Sequence, residues 1–132
     1  MNVMILGATR GMGRELARKY AARGAALALL GRDAEDLQRT AADLVARGAG
    51  AAVQIPCDLE KPETILPALH GGSTALGKVD VIVSTAGIYA AQEALEASPD
   101  LIERMLRVNL TSTIRFCEAA REVLAAQGGG TL

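Results

Sequence analysis

Apolar residues in this chain fall into short continuous runs separated by longer amphipathic stretches. The run Val3-Met4-Ile5-Leu6 predicts a strand over 2–6. A helix follows from about Gly11 to Arg23, with Leu16/Tyr20 and Ala17/Ala21 on one face at i, i+4 spacing and Gly24 as its stop. The second strand, Ala25 to Leu30, is apolar throughout, the pattern of a strand buried on both faces. Gly31-Arg32-Asp33 turns the chain, and Asp33 is placed to cap a helix bearing Leu37, Ala41, Leu44 and Val45 and ending at Gly48. Ala51 to Ile55 reads as a third strand, followed by Pro56-Cys57-Asp58-Leu59. Beyond Pro62 the apolar Ile65, Leu66 and Leu69 suggest a helix, but Pro67 and Gly71-Gly72 predict a short or broken one, with His70 in a loop.

Val79 to Ser84 predicts a fourth strand, and Thr85-Ala86-Gly87 turns off its end. Ser98 as cap and Pro99 at the first helical position open a long helix reaching about Gln127. Leu101, Ile102, Met105, Leu106, Ile114, Cys117, Ala120 and Leu124 mark its expected buried side. Strands alternating with helices predict an α/β fold with a parallel sheet and helical crossovers.

Composition adds limits. The 132 residues suit a single domain, 1–132. Half of them are hydrophobic and only Tyr20, Tyr89 and Phe116 are aromatic, so the core is built from Ala, Val, Leu, Ile and Met. A net charge of −1 gives no electrostatic footprint for nucleic acid or a membrane surface. No apolar run reaches the length of a membrane span, and the start of the chain has neither a basic segment nor a cleavage site, so a cytoplasmic location is expected. Cys57 and Cys117 lie far apart, with no metal-ligand spacing, and read as reduced, buried thiols. His70 has no Cys, Asp or Glu cluster around it, and neither Ser84 nor Ser112 has a histidine partner, so no metal and no nucleophilic triad are expected.

The stretch that carries chemistry is Gly7-Ala8-Thr9-Arg10-Gly11-Met12-Gly13, between the first strand and the first helix. Its glycines fit a sharp turn off the strand, a close approach of backbone to ligand, and tight packing of helix on sheet. The helix then directs its free N–H groups and positive dipole end into the turn, a ready site for a pyrophosphate. By itself the spacing also suits an ordinary tight strand-to-helix connection. The missing Gly-Lys-Ser/Thr excludes a P-loop, and Gly31-Arg32, where an acid would be expected, fits a methyltransferase poorly.

Three further motifs lie at the matching intervals: Asp58-Leu59 after the third strand, Thr85-Ala86-Gly87 after the fourth, and Val108-Asn109-Leu110 within the long helix. Together with the G-x-x-x-G-x-G turn they resemble the short-chain dehydrogenase/reductase family over nearly the whole chain. Leu6 replaces the family's usual Thr, and Ser84-Thr85 its usual Asn-Asn. The resemblance implies a Rossmann-like sheet in the order 3-2-1-4, with a fifth strand beginning near Gly129-Gly130-Thr131-Leu132. It leaves strand 4 as an open edge, with Val81, Ile82 and Val83 uncovered and a chain expected to be marginally stable or self-associating.

The resemblance also implies a dinucleotide held by Gly7, Thr9, Arg10, Gly11, Met12, Gly13, Arg32, Asp58, Leu59, Thr85, Ala86, Gly87 and Val108. The reaction implied is hydride transfer with a small carbonyl or alcohol substrate. Asn109 would be the catalytic residue, interrupting its helix and holding a water that leads to a catalytic Lys. The second strand ends in Gly31-Arg32 with no acid to bond a ribose 2′-hydroxyl, while Arg10 and Arg32 suit a 2′-phosphate, so NADP(H) is expected over NAD(H). Neither Tyr20 nor Tyr89 is followed by Lys four residues on, so the family's Tyr-x-x-x-Lys pair and its Ser are absent from this sequence. The chain is therefore expected to be the cofactor-binding part of a reductase, inactive alone, with a non-catalytic dinucleotide-binding module as the alternative. Homo-oligomerisation through the helix over 98–127 is expected.

Overall fold

The computed structural model describes residues 1–132. Four parallel strands, β1 (Asn2–Leu6), β2 (Ala26–Gly31), β3 (Ala51–Pro56) and β4 (Val81–Ser84), form one sheet in the order β3-β2-β1-β4. Met4 lies opposite both Ala28 and Ile82, so β1 is central. Thr131 bridges to Val81, with Ile82 N–H on the Thr131 carbonyl at 2.9 Å, which places the beginning of a fifth strand on the β4 edge. Ile82 is buried and Val81 and Val83 are half-buried, so β4 is more covered than its edge position predicted.

Alternation along the strands builds a core on each face. Val3, Ile5, Leu27 and Leu29 meet α1 (Gly11–Ala21) and α2 (Ala34–Ala46) through Ala17, Ala21, Leu37 and Leu44. Met4, Leu6, Ala28 and Leu30 meet α3 (Ile65–Leu76) and α6 (Thr113–Ala126) through Ile65, Leu69, Phe116, Ala120 and Leu124. Asp33 caps α2, accepting the Asp36 N–H at 2.9 Å.

Two expectations are corrected. After a 3₁₀ turn (Pro62–Thr64), α3 runs unbroken through Pro67, Gly71 and Gly72, and His70 lies within it. Pro67 falls in the first turn, where its missing N–H costs no helical bond. Gly72 is where the helix closes on the sheet, since a methyl group there would overlap the Met4 side chain.

The single long helix from Pro99 is instead three pieces, α5 (Asp100–Leu106), a π-helical segment (Arg107–Ser112) and α6, and a separate short helix, α4 (Gln92–Ala97), precedes them. Ser98 has the extended backbone of a cap, but no side chain caps α5. From the π segment onward the buried side is Val108, Ser112, Phe116, Ala120 and Leu124, whereas Ile102, Leu106 and Ile114 are exposed. Two amides tie these pieces to β4. Gln127 accepts the Val79 N–H and donates to its carbonyl, and Asn109 does the same for Ile88 beyond the other end of the strand. Both cysteines are free thiols, Cys57 buried and Cys117 only partly so. No helix is long and apolar enough to cross a membrane.

Candidate functional site

The carboxyl ends of the strands open onto a cleft of about 450 Å³. Its floor is the β1–α1 turn. Gly7 has φ +92°, and its N–H donates to the Leu30 carbonyl at 3.1 Å. A Cβ there would sit 2.7 Å from the Ala86 nitrogen. A Cβ on Gly13 would overlap the Gly7 carbonyl oxygen and the Thr85 hydroxyl. Gly11, at φ +53°, has open space above it. Gly7 and Gly13 therefore serve backbone conformation and helix–sheet approach, and Gly11 leaves the turn open to the cleft.

Thr85 stands where the family has an amide side chain, and it still joins the two turns. Its N–H donates to the Leu6 carbonyl at 2.9 Å. Its hydroxyl lies 3.2 Å from that oxygen and 3.3 Å from the Gly7 carbonyl. Helix α1 begins at this junction with no capping side chain and no acid in its first turn. Its leading N–H groups have no side-chain partner, the arrangement in which a helix terminus favours an anion.

The walls come from the ends of β2 and β3 and from the turn after β4. Thr9, Arg10 and Met12 line the cleft beside the glycines; Arg32 comes from β2, Asp58 and Leu59 from β3, and Ala86 and Gly87 from beyond β4. Val108 is buried at the cleft from the π segment. Every expected cofactor-binding residue thus borders one cavity.

Asp58 Oδ1 accepts the Glu60 N–H at 3.0 Å, and the Asp58 N–H donates to the Thr64 hydroxyl at 2.9 Å, so the carboxylate is fixed in its own turn. Cys57 is also at the cleft, but burial pushes its thiol up to about 11, which keeps it protonated and unreactive at neutral pH.

Asn109 does not border the cleft. Its Oδ1 accepts the Ile88 N–H at 2.8 Å and its Nδ2 donates to the Ile88 carbonyl at 2.7 Å. The side chain thereby fixes the loop that carries Ala86, Gly87 and Ile88 to the cleft, a positioning role visible in the geometry.

Sequence reading missed the acids. Asp33, Asp36 and Glu60 border the same cleft, so the rim of β2 is less free of carboxylates than Gly31-Arg32 suggested. Asp36 Oδ2 is 2.8 Å from Arg10 Nη2, and its Oδ1 is 2.5 Å from Arg39 Nη2. Hydrogen bonds from Arg39 and then Arg10 hold the Asp36 carboxyl below the usual carboxylate range. Glu60 takes Arg32 Nη1 at 3.2 Å and a two-pronged contact from Arg104, and the Arg104 hydrogen bond is the main reason its carboxyl is also lowered. The one local signal for the first cluster was Asp36 three residues before Arg39 on a helix.

The family model described as short chain dehydrogenase matches residues 1–132. Among curated proteins, the chain is 37% identical over 122 residues to "Dehydrogenase/reductase SDR family member 7B" of Bos taurus, covering 89% of this chain and 38% of that protein. Among solved structures, a short-chain type dehydrogenase/reductase from Mycobacterium marinum superposes with a TM-score of 0.87 at 30% identity, covering 98% of this chain and 53% of the other. An actinorhodin polyketide ketoreductase solved with NADPH gives a TM-score of 0.87 at 26% identity, over 98% of this chain and 50% of the other. The chain thus spans about half the length, or less, of the relatives it matches.

Proposed function

Because the chain belongs to the short-chain dehydrogenase/reductase family, we propose that its cleft holds a nicotinamide dinucleotide and takes NADP(H) in preference to NAD(H). The observation that carries this is the junction of Gly7, Gly13 and Thr85 beneath an uncapped helix terminus, with Arg10 and Arg32 on the rim. The pyrophosphate lies over Gly11 and Met12, on the first N–H groups of α1. Asp58 and Leu59 border the adenine, and Ala86, Gly87 and Val108 line the path toward the nicotinamide. Arg10 and Arg32 meet the 2′-phosphate, which neither ribose hydroxyl of NAD(H) replaces in charge.

Bound there, the cofactor supplies or accepts the hydride in the family's reaction on a small carbonyl or alcohol compound. The residues of this chain bind and orient it, and Asn109 holds the Ile88 loop against it. A second reading is favoured by one observation: neither Tyr20 nor Tyr89 borders the cleft. On that reading this segment binds the dinucleotide and performs no proton transfer. Incubation with NADPH and a panel of carbonyl compounds separates the two, since the second reading gives binding without oxidation.

The specificity assignment is tested by titrating both nucleotides into Arg32→Asp. Wild type is expected to favour NADPH, and the variant to lose about tenfold of that preference, the scale of one charge-assisted phosphate contact replaced by repulsion. An NADPH preference unchanged in the variant would overturn the assignment.

The same reading includes a cytoplasmic homo-oligomer. Ile102, Leu106, Leu110 and Ile114 are exposed at four-residue spacing from α5 through the π segment into α6. A stripe of that kind is covered by association. Sedimentation of wild type is expected to show a dimer or larger species that Leu106→Lys/Leu110→Lys converts to monomer; a monomeric wild type would refute the proposal.

A further inference from the structure

Each arginine on the rim of the cleft shares its carboxylate with a second arginine that does not border the cleft. Arg10 shares Asp36 with Arg39, and Arg32 shares Glu60 with Arg104. In both pairs the outer arginine makes the closer contact: 2.5 Å against 2.8 Å at Asp36, and 2.5 Å against 3.2 Å at Glu60. Arg104 holds Glu60 through both Nε and Nη2, the fork geometry, whereas Arg32 offers one nitrogen. The acids are also the less exposed members. The Asp36 side chain, on α2, is 15% exposed, against 81% for Arg10.

We infer that Arg39 and Arg104 are specificity-determining residues outside the cleft, which keep Asp36 and Glu60 compensated when Arg10 and Arg32 turn to a 2′-phosphate. The inference rests on the NADP(H) reading of the cleft. A guanidinium has five N–H donors, and Arg10 and Arg32 each commit one nitrogen to a carboxylate. With the outer arginine in place, the inner one shifts toward a phosphate without stranding a carboxylate beside the incoming anion. Without it, the inner arginine is the sole partner of Asp36 or Glu60, and the phosphate competes with a full carboxylate charge. NAD(H), having no 2′-phosphate, makes no such demand. The four arginines would thus act as two relays, and the discrimination would depend on residues that never touch the nucleotide.

The test is calorimetric titration of the full chain with NADPH and NADH in Arg39→Gln, Arg104→Gln and Arg39→Gln/Asp36→Asn. Each single variant is expected to bind NADPH about fivefold more weakly, the upper range for one exposed ion pair, with NADH affinity unchanged. Adding Asp36→Asn to Arg39→Gln restores NADPH binding, because no carboxylate is left to compete. Equal loss for both nucleotides, or no loss for either, overturns the inference. Asp36→Asn alone supplies an independent check, since it releases Arg10 and should strengthen NADPH binding; weakening contradicts the relay. Arg10→Gln/Arg32→Gln separates the two levels. If it leaves NADPH affinity intact, the 2′-phosphate reading itself fails. If it weakens NADPH selectively while Arg39→Gln and Arg104→Gln do nothing, only the relay fails.

Discussion

Gly13→Ala is expected to lower stability by about 1–3 kcal/mol and to abolish measurable dinucleotide binding. The added methyl would overlap the Gly7 carbonyl oxygen and the Thr85 hydroxyl. Neither can step aside alone. The Gly7 N–H is tied to Leu30, and the Thr85 N–H and hydroxyl are tied to the carbonyls of Leu6 and Gly7. Relief requires α1 to lift away from the sheet, and the N–H groups proposed to hold the pyrophosphate lift with it. Gly11→Ala is the control. Open space surrounds that position, so the cost is confined to a φ of +53°, about 1 kcal/mol. Thermal unfolding reads the difference, about 3–5 °C per kcal/mol for a chain of this size. An unchanged midpoint and unchanged NADPH affinity in Gly13→Ala would remove the junction from the account.

The largest effect on stability is expected at Phe116. It is fully buried on α6, against the core face formed by Met4, Leu6, Ala28 and Leu30. Phe116→Ala removes the only phenylalanine and leaves a cavity, at a cost of about 3–5 kcal/mol. That is a large share of the roughly 5–15 kcal/mol that holds a domain folded. Ile114→Ala, two residues away and 54% exposed, should change stability by no more than about 0.5 kcal/mol in the monomer. Urea unfolding of the two variants decides the matter, and comparable losses would mean that α6 faces the sheet differently.

That contrast locates a limit of sequence reading. A regular helix from Pro99 to Gln127 places Ile114 and Cys117 on its buried side and leaves out Phe116. The π segment over Arg107–Ser112 adds a residue to one turn, rotating everything after it by about 100°. Its visible partner is the Asn109–Ile88 clasp, a contact between residues 21 positions apart, to which local periodicity is blind. Asn109 did signal an interruption, as a poor interior helix residue. The signal carried no information on how far the face would turn.

The sheet was legible for the opposite reason. β1 and β2 are buried on both faces, so their apolar runs were unbroken, and the glycine turn fixed where the first crossover begins. The cleft-lining glycines, arginines and Asp58 lie at strand ends, where position along the chain translates directly into position in space. The acids that engage the arginines were not legible, because Arg10–Asp36 and Arg32–Glu60 join residues 26 and 28 positions apart on different elements. Pro67 misled because composition names a breaker without saying which turn of the helix it will occupy.

We propose that the cleft above Gly7–Gly13 binds a 2′-phosphorylated dinucleotide. The most direct measurement is calorimetric titration of the wild-type chain with NADPH and, separately, with NADH at matched ionic strength. Saturable binding of one NADPH per chain, tighter than NADH, is the result predicted. Equal affinity for the two nucleotides, or no binding of either, would contradict it.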